Sequence, residues 1–118
     1  MQIDLNQRPT IIIGLTKEIE REVLKPLLYG MEEEGIPYTI ENQLGKDVKR
    51  VAFEAANGSS LLVGIGFDGD RVVLQYRNLP EEKPFLELQG YLGTPKQEIR
   101  NFGSNAARLV KGIALKIK

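Results

Sequence analysis

The stretch that decides the fold is residues 59–76, SSLLVGIGFDGDRVVLQY. Residues 61–67 (LLVGIGF) are continuously apolar and of strand length, which marks a strand buried on both faces. Asp68-Gly69 is a two-residue turn signal, and residues 71–76 (RVVLQY) form a second strand beyond it. So short a connection makes these two strands antiparallel.

Outward from this hairpin, strands and helices alternate. Residues 9–14 (PTIIIG) are a β-branched run of strand length. Over residues 17–34, Ile19, Val23, Leu24, Leu27, Leu28 and Met31 recur at spacings of three and four, the apolar face of a helix. Pro26 falls within it, so the helix either kinks there or begins there. Gly35 supplies a C-terminal cap and Pro37 blocks continuation. Residues 36–41 (IPYTIE) make a short strand, and Val48, Val51, Ala52 and Ala55 mark a helix over residues 46–57.

Beyond the hairpin, residues 78–92 carry Pro80 and Pro84 and read as loop, with at most one short strand at 84–88 (PFLEL). Thr94, Pro95 and Gln97 then present a capping box with a first-turn proline. Ile99, Phe102, Ala106, Leu109 and Val110 form that helix's buried stripe and Gly112 ends it. Ile113, Leu115 and Ile117 alternate as a final strand. This order implies an α/β fold: a three-layer α/β/α sandwich around a mixed, mostly parallel sheet of about five strands, one of them antiparallel. Residues 1–118 form a single domain, of which 1–8 are a polar leader.

Composition narrows the chemistry. The chain is 42% apolar and 27% charged, with sixteen acidic and sixteen basic residues, ordinary for a globular domain. Balanced charge without a basic block gives no reason to expect nucleic acid or a membrane surface as partner. With no cysteine and no histidine, disulfides, thiol nucleophiles, Cys/His zinc sites and imidazole bases are excluded. The N-terminal apolar run is too short for a signal peptide or a membrane span, so a cytoplasmic location is expected.

Several motifs invite functional readings. Gly64-Ile65-Gly66 is followed by a turn and a strand rather than a helix, so it fails the context of a phosphate loop; close helix packing over the sheet accounts for the glycines. Asp68 and Asp70 lack the later ligands of a calcium loop and read as turn residues. Tyr38, Tyr76 and Tyr91 are the available groups for a small enzyme, without a convergent acid–base pair.

Glu32, Glu33 and Glu34 are the unusual feature. They occupy the last turn of a helix, where the dipole disfavours anions by about 0.3–1 kcal/mol each, and they repel one another. One reading is three solvated carboxylates. The other is that one or more faces a cation or a basic partner surface, since local rules tend to be broken at functional sites. A divalent cation shared across a subunit interface suits a lone carboxylate, because Mg²⁺ and Ca²⁺ take oxygen ligands from several elements. Arg108 and Lys111 lie in the last turns of the final helix, where cations are favoured; a docking role for Arg108 is the minor alternative.

Four strings occur in order: residues 30–37 (GMEEEGIP), 59–65 (SSLLVGI), 78–80 (NLP) and 105–112 (NAARLVKG). Together they resemble the small subunits of diol and glycerol dehydratase-reactivating factors. Residues 21–29 and 89–94 depart from that pattern. The resemblance implies the fold of the dehydratase medium subunit, an anticodon-binding-domain-like arrangement. It implies a non-catalytic, chaperone-like chain paired with a large ATPase subunit. It further implies exchange with the medium subunit on the dehydratase large subunit, so that damaged cobalamin leaves the adenosylcobalamin-dependent enzyme. No cofactor is expected on this chain alone. By the same resemblance, Glu33 is the metal ligand, holding Mg²⁺ or Ca²⁺ at the large-subunit interface; Glu32 and Glu34 are neighbours without that match, and with Glu33 and Arg108 they are the candidate partner-interface residues. The location implied is cytoplasmic, with enclosure in a bacterial microcompartment left open. A dehydratase medium-subunit relative and a stand-alone ligand-binding α/β domain are the alternatives.

Overall fold

A computed structural model describes residues 9–112. Five strands form one sheet: β1 (Ile11–Leu15), β2 (Tyr38–Asn42), β3 (Val63–Phe67), β4 (Val72–Tyr76) and β5 (Leu86–Leu88). Three helices cover it: α1 (Arg21–Glu33), α2 (Val48–Gly58) and α3 (Lys96–Lys111), with a 3₁₀ turn at Tyr91–Gly93. The strand order is β2-β1-β3-β4-β5. β1 pairs in parallel with both β2 and β3, while β4 is antiparallel to both β3 and β5. Among the described strands, β4 is therefore the one running against the rest.

Alternation along the strands assigns the two faces. Ile11, Ile13 and Leu15 of β1 and Val63, Ile65 and Phe67 of β3 point into the main core, with Leu24, Leu27, Leu28 and Met31 of α1 and Ile99, Phe102 and Ala106 of α3. The opposite face meets α2. Val73 packs on Val48 and Ala52 there, and the residues opposite α2 on β3 are Gly64 and Gly66. A Cβ on Gly66 would overlap the carbonyl oxygen of Val48 and lie 3.2 Å from the Ala52 methyl. Helix α2 thus lies directly on the backbone of β3, which is what the two glycines provide. α1 and α3 close on each other in a similar way. A Cβ on Gly103 would overlap the carbonyl oxygen of Leu27 and lie 3.4 Å from Gly30 Cα.

The observed elements differ from the sequence expectations in four places, and settle one alternative. α1 starts at Arg21 rather than Lys17, because Thr16 N–H extends the ladder to Phe67 O and Lys17 lies beside Gly69. Pro26 sits in the second turn of α1, so of the two alternatives the helix runs through it and does not begin there. The tight turn is shifted by one residue, since Asp68 N–H bonds to Arg71 O and leaves Gly69 and Asp70 at the centre. Residues 61–62 precede β3 instead of joining it, and Leu62 holds a left-handed φ of 67°. Finally, the capping box at Thr94 does not form. Its hydroxyl donates back to Gly90 O at 2.8 Å, and Pro95 becomes the N-cap. The fifth strand of the sheet is the short β5; the expected strand over residues 113–117, like the polar leader 1–8, lies outside the described residues.

Candidate functional site

The topology gathers the four strings at one end of the sandwich. β1, β2 and β3 begin there and β4 finishes there, by the registers Ile11↔Tyr38 and Val63↔Tyr76. α1 descends to the same end and turns into β2 through residues 34–37; α3 also terminates there, since Lys111 Nζ donates to Glu34 O at 3.0 Å. Residues 59–62 and 78–80 are the loops flanking the β3–β4 ladder, joined by Arg77 N–H to Leu62 O at 2.8 Å. The Arg77 guanidinium donates to Asn57 O and Ser59 O, closing the C-terminal end of α2.

The three glutamates of this end behave differently. Gly35, in a left-handed conformation at φ 73°, lets its N–H reach Glu32 O and the Ile36 N–H reach Met31 O, ending α1. Glu32 accepts from the Tyr38 hydroxyl at 3.1 Å, and that hydroxyl accepts from Arg21 at 3.2 Å. Burial, with the Glu32 carboxylate beside it, raises the Tyr38 pKa. Glu34 is the most enclosed of the three, its side chain 11% exposed. Its carboxylate accepts from Lys111 Nζ at 2.8 Å, Ser104 Oγ at 2.7 Å and Arg108 Nε at 2.9 Å. These three donors hold its pKa down at about 2, Lys111 contributing most.

Glu33 pairs with Arg100 of α3, and both side chains stay substantially exposed, at 37% and 44%. The anions at the end of α1 are thus answered largely within the chain. Ser104, Arg108 and Lys111 stand at i, i+4 and i+7, with Arg100 one turn earlier, so one stripe of α3 faces the end of α1. Arg108 and Glu34 form a single structural unit. Arg100 is the member that sequence reasoning missed.

Among the described residues no three acidic, histidine or cysteine side chains converge to hold a metal ion. Glu33 is a partly exposed carboxylate whose ion-pair partner is the Arg100 guanidinium. The remaining motifs are structural in their geometry. Gly64 and Gly66 lie under α2. Asp68 Oδ1 accepts from the N–H groups of Asp70 and Arg71 at 2.9 and 2.6 Å, which fixes the hairpin turn. Tyr91 is buried, its hydroxyl donating to Val23 O at 2.6 Å and its ring centred 4.4 Å from that of Phe67. Burial pushes its pKa up to about 12. Tyr38 and Tyr91 thus belong to separate hydrogen-bonded groups.

No helix among the described residues is long and apolar enough to cross a membrane. Residues 8–116 match the family model described as the dehydratase medium subunit. The propanediol dehydratase-reactivating factor small subunit of Salmonella typhimurium is 40% identical over 105 residues, covering 89% of this chain and 88% of that protein. The diol dehydratase-reactivating factor small subunit of Klebsiella michiganensis is 44% identical over 89 residues, covering 75% of this chain and 70% of that one. A solved structure of diol dehydratase-reactivating factor complexed with ADP and Mg²⁺ contains a chain that superposes with a TM-score of 0.87. It is 38% identical, and the match covers 94% of this chain and 100% of that one. At these identities and this coverage, the chain belongs to the family of diol/propanediol dehydratase-reactivating factor small subunits.

Proposed function

We propose that this chain is the non-catalytic small subunit of an ATP-dependent reactivase, and that it works by exchanging with the medium subunit of an adenosylcobalamin-dependent diol or glycerol dehydratase. The observation that carries this reading is a double likeness. The family model spanning residues 8–116 is that of a dehydratase medium subunit, while the curated relatives are small subunits of reactivating factors. One fold shared by both is what exchange on a common partner surface requires. Release of the medium subunit would then open the dehydratase so that damaged cobalamin leaves and intact cofactor enters.

ATP hydrolysis falls to the large subunit in this reading. Mg²⁺ and ADP accompany the related reactivating factor, and the glycines that might suggest a phosphate loop here are used to seat α2. Glu33 is the residue of this chain that would contribute to a divalent cation, Mg²⁺ or Ca²⁺, at the large-subunit interface; the cation would neutralise carboxylates brought together from both subunits. Glu32, Glu34 and Arg108 would border that contact, with Glu34 and Arg108 fixing the end of α1 that presents Glu33. A cytoplasmic location, inside a microcompartment where the dehydratase is enclosed, follows from the client.

The test is native mass spectrometry of the dehydratase mixed with the assembled reactivase and ATP. The expected species is dehydratase large subunit carrying this chain, with free medium subunit released. Stable co-assembly of this chain with intact dehydratase in place of its medium subunit, and no association with a reactivase large subunit, would instead make it a medium-subunit relative.

A further inference from the structure

We infer that the free edge of β2 pairs with the β2 edge of a second copy of this chain, joining the two sheets antiparallel across a two-fold axis. The inference does not rest on the assembly proposed above. β2 closes one side of the sheet, and its only strand neighbour among the described residues is β1. In that parallel ladder Ile11 N–H bonds to Pro37 O, and Gln43 N–H bonds to Leu15 O. The odd-numbered residues of this stretch therefore bond to β1, and the N–H and C=O groups of Tyr38, Ile40 and Asn42 point away from the sheet. The opposite edge is blunted, because β5 has only three residues and follows Pro84 and Phe85. β2 has five residues in unbroken register, with no proline, lysine or bulge to keep another strand from adding.

The sequence of this edge is complementary to itself. The phase of the outward groups lets Ile40 sit opposite Ile40 of the second copy, with Tyr38 opposite Asn42 on either side. Each of these pairs then exchanges both backbone hydrogen bonds. In that register Thr39 lies opposite Glu41, so a hydroxyl meets each carboxylate and the two carboxylates are not directly opposed. Glu41 is the one charged residue between Gly35 and Lys46, so no like-charge pair arises. Ile36 and Leu44 flank Ile40 at equal separation and come opposite each other across the axis. Leu44 is 56% exposed and Ile36 only partly buried, so the pairing covers apolar surface at both ends. Sliding one copy by two residues sets Glu41 against Glu41 in one direction and Leu44 against Glu34 in the other. The sequence thus selects one register.

The experiment is sedimentation equilibrium of the full chain alone, from about 1 μM to about 1 mM so as to span weak affinities. Three variants accompany it: Thr39→Lys, Thr39→Glu and Asn42→Pro. Thr39 and Asn42 are exposed, and a proline is tolerated on an edge strand where its N–H would face outward; circular dichroism melts establish that each variant folds. One strand pair buries less than a standard interface, so the parent should form a weak dimer that grows with concentration. Thr39→Lys places a cation opposite Glu41 twice per dimer and should tighten it roughly threefold or more. Thr39→Glu opposes two carboxylates at the same places and should weaken it by as much. Both variants lose the Thr39–Thr10 hydroxyl bond, so opposite signs cannot come from that loss. Asn42→Pro removes an outward donor and should leave the chain monomeric. A parent that stays monomeric throughout the range would overturn the inference. So would a dimer that Asn42→Pro leaves intact, because another surface would then hold it. A dimer that responds alike to both charges at position 39 would overturn the register and the inference with it.

Discussion

Glu34 and Arg108 are joined across the α1–α3 contact, with Arg108 Nε donating to Glu34 Oε2 at 2.9 Å. Ser104 and Lys111 donate to the same carboxylate, so the last turn of α1 is tied to the last turns of α3. An anion at a helix C-terminus is locally unfavourable. Here a second helix supplies the compensating donors, and the strained-looking EEEG string becomes a fastening between two helices.

That fastening has a pH signature. The Glu34 pKa is lowered from 4.5 to about 2 in the folded chain. A depressed carboxyl pKa contributes stability that is fully present above the unfolded value and is lost as pH falls through the folded one. Glu34→Gln should therefore melt at a lower temperature than the parent near neutral pH, and the gap should close between about pH 4.5 and pH 2. Melting curves across that range check it; a gap independent of pH would mean that the carboxylate charge is not what matters.

Gly103→Ala sets two effects against each other. Helix propensity alone would favour alanine by about 1 kcal/mol, but the added methyl would overlap Leu27 O. Overpacking against backbone costs about 1–3 kcal/mol, so the variant should be less stable on balance. Urea denaturation midpoints decide the sign.

Asp47 is the N-cap of α2, its side chain accepting from the N–H groups of Lys49 and Arg50 at 3.1 and 3.3 Å. Asp47→Ala should destabilise the chain by about 1 kcal/mol, with Asp47→Asn close to the parent. The same denaturation series measures both.

Tyr91→Phe removes the hydroxyl that donates to Val23 O while leaving the ring on Phe67. The expected cost is about 0.5–1.5 kcal/mol, the net worth of one buried hydrogen bond. The difference in unfolding free energy at fixed pH reads it directly.

What the sequence made legible was what depends on local pattern. The β-branched run at 9–14 and the apolar run before Asp68 gave β1 and β3, and Gly64 and Gly66 were correctly read as packing glycines. Spacing also gave the three helices, including the Gly35 and Gly112 ends, both left-handed in φ. Asp47 ahead of the α2 stripe was a visible cap signal that went unused. Thr94 failed as a cap because α3 begins one residue later, with the Glu98 and Ile99 N–H groups bonding to Pro95 O while the Thr94 hydroxyl donates back to Gly90 O; a one-residue shift of the helix start is not readable from spacing alone. The Glu33–Arg100 pair was out of reach for a different reason. Its partners are 67 residues apart and meet only through the relative register of α1 and α3, which the close approach of Gly30 and Gly103 sets. The stripe of Arg100, Ser104, Arg108 and Lys111 could be seen, but not the helix end it faces.

The most direct test of the central claim is co-expression with a reactivating-factor large subunit, followed by size-exclusion chromatography with and without a chelator. The account predicts co-elution of the two chains, weakened by chelation and by Glu33→Ala. Co-elution untouched by either treatment would keep the assembly and remove the metal bridge. Separate elution of a folded small subunit from every such large subunit would contradict the account.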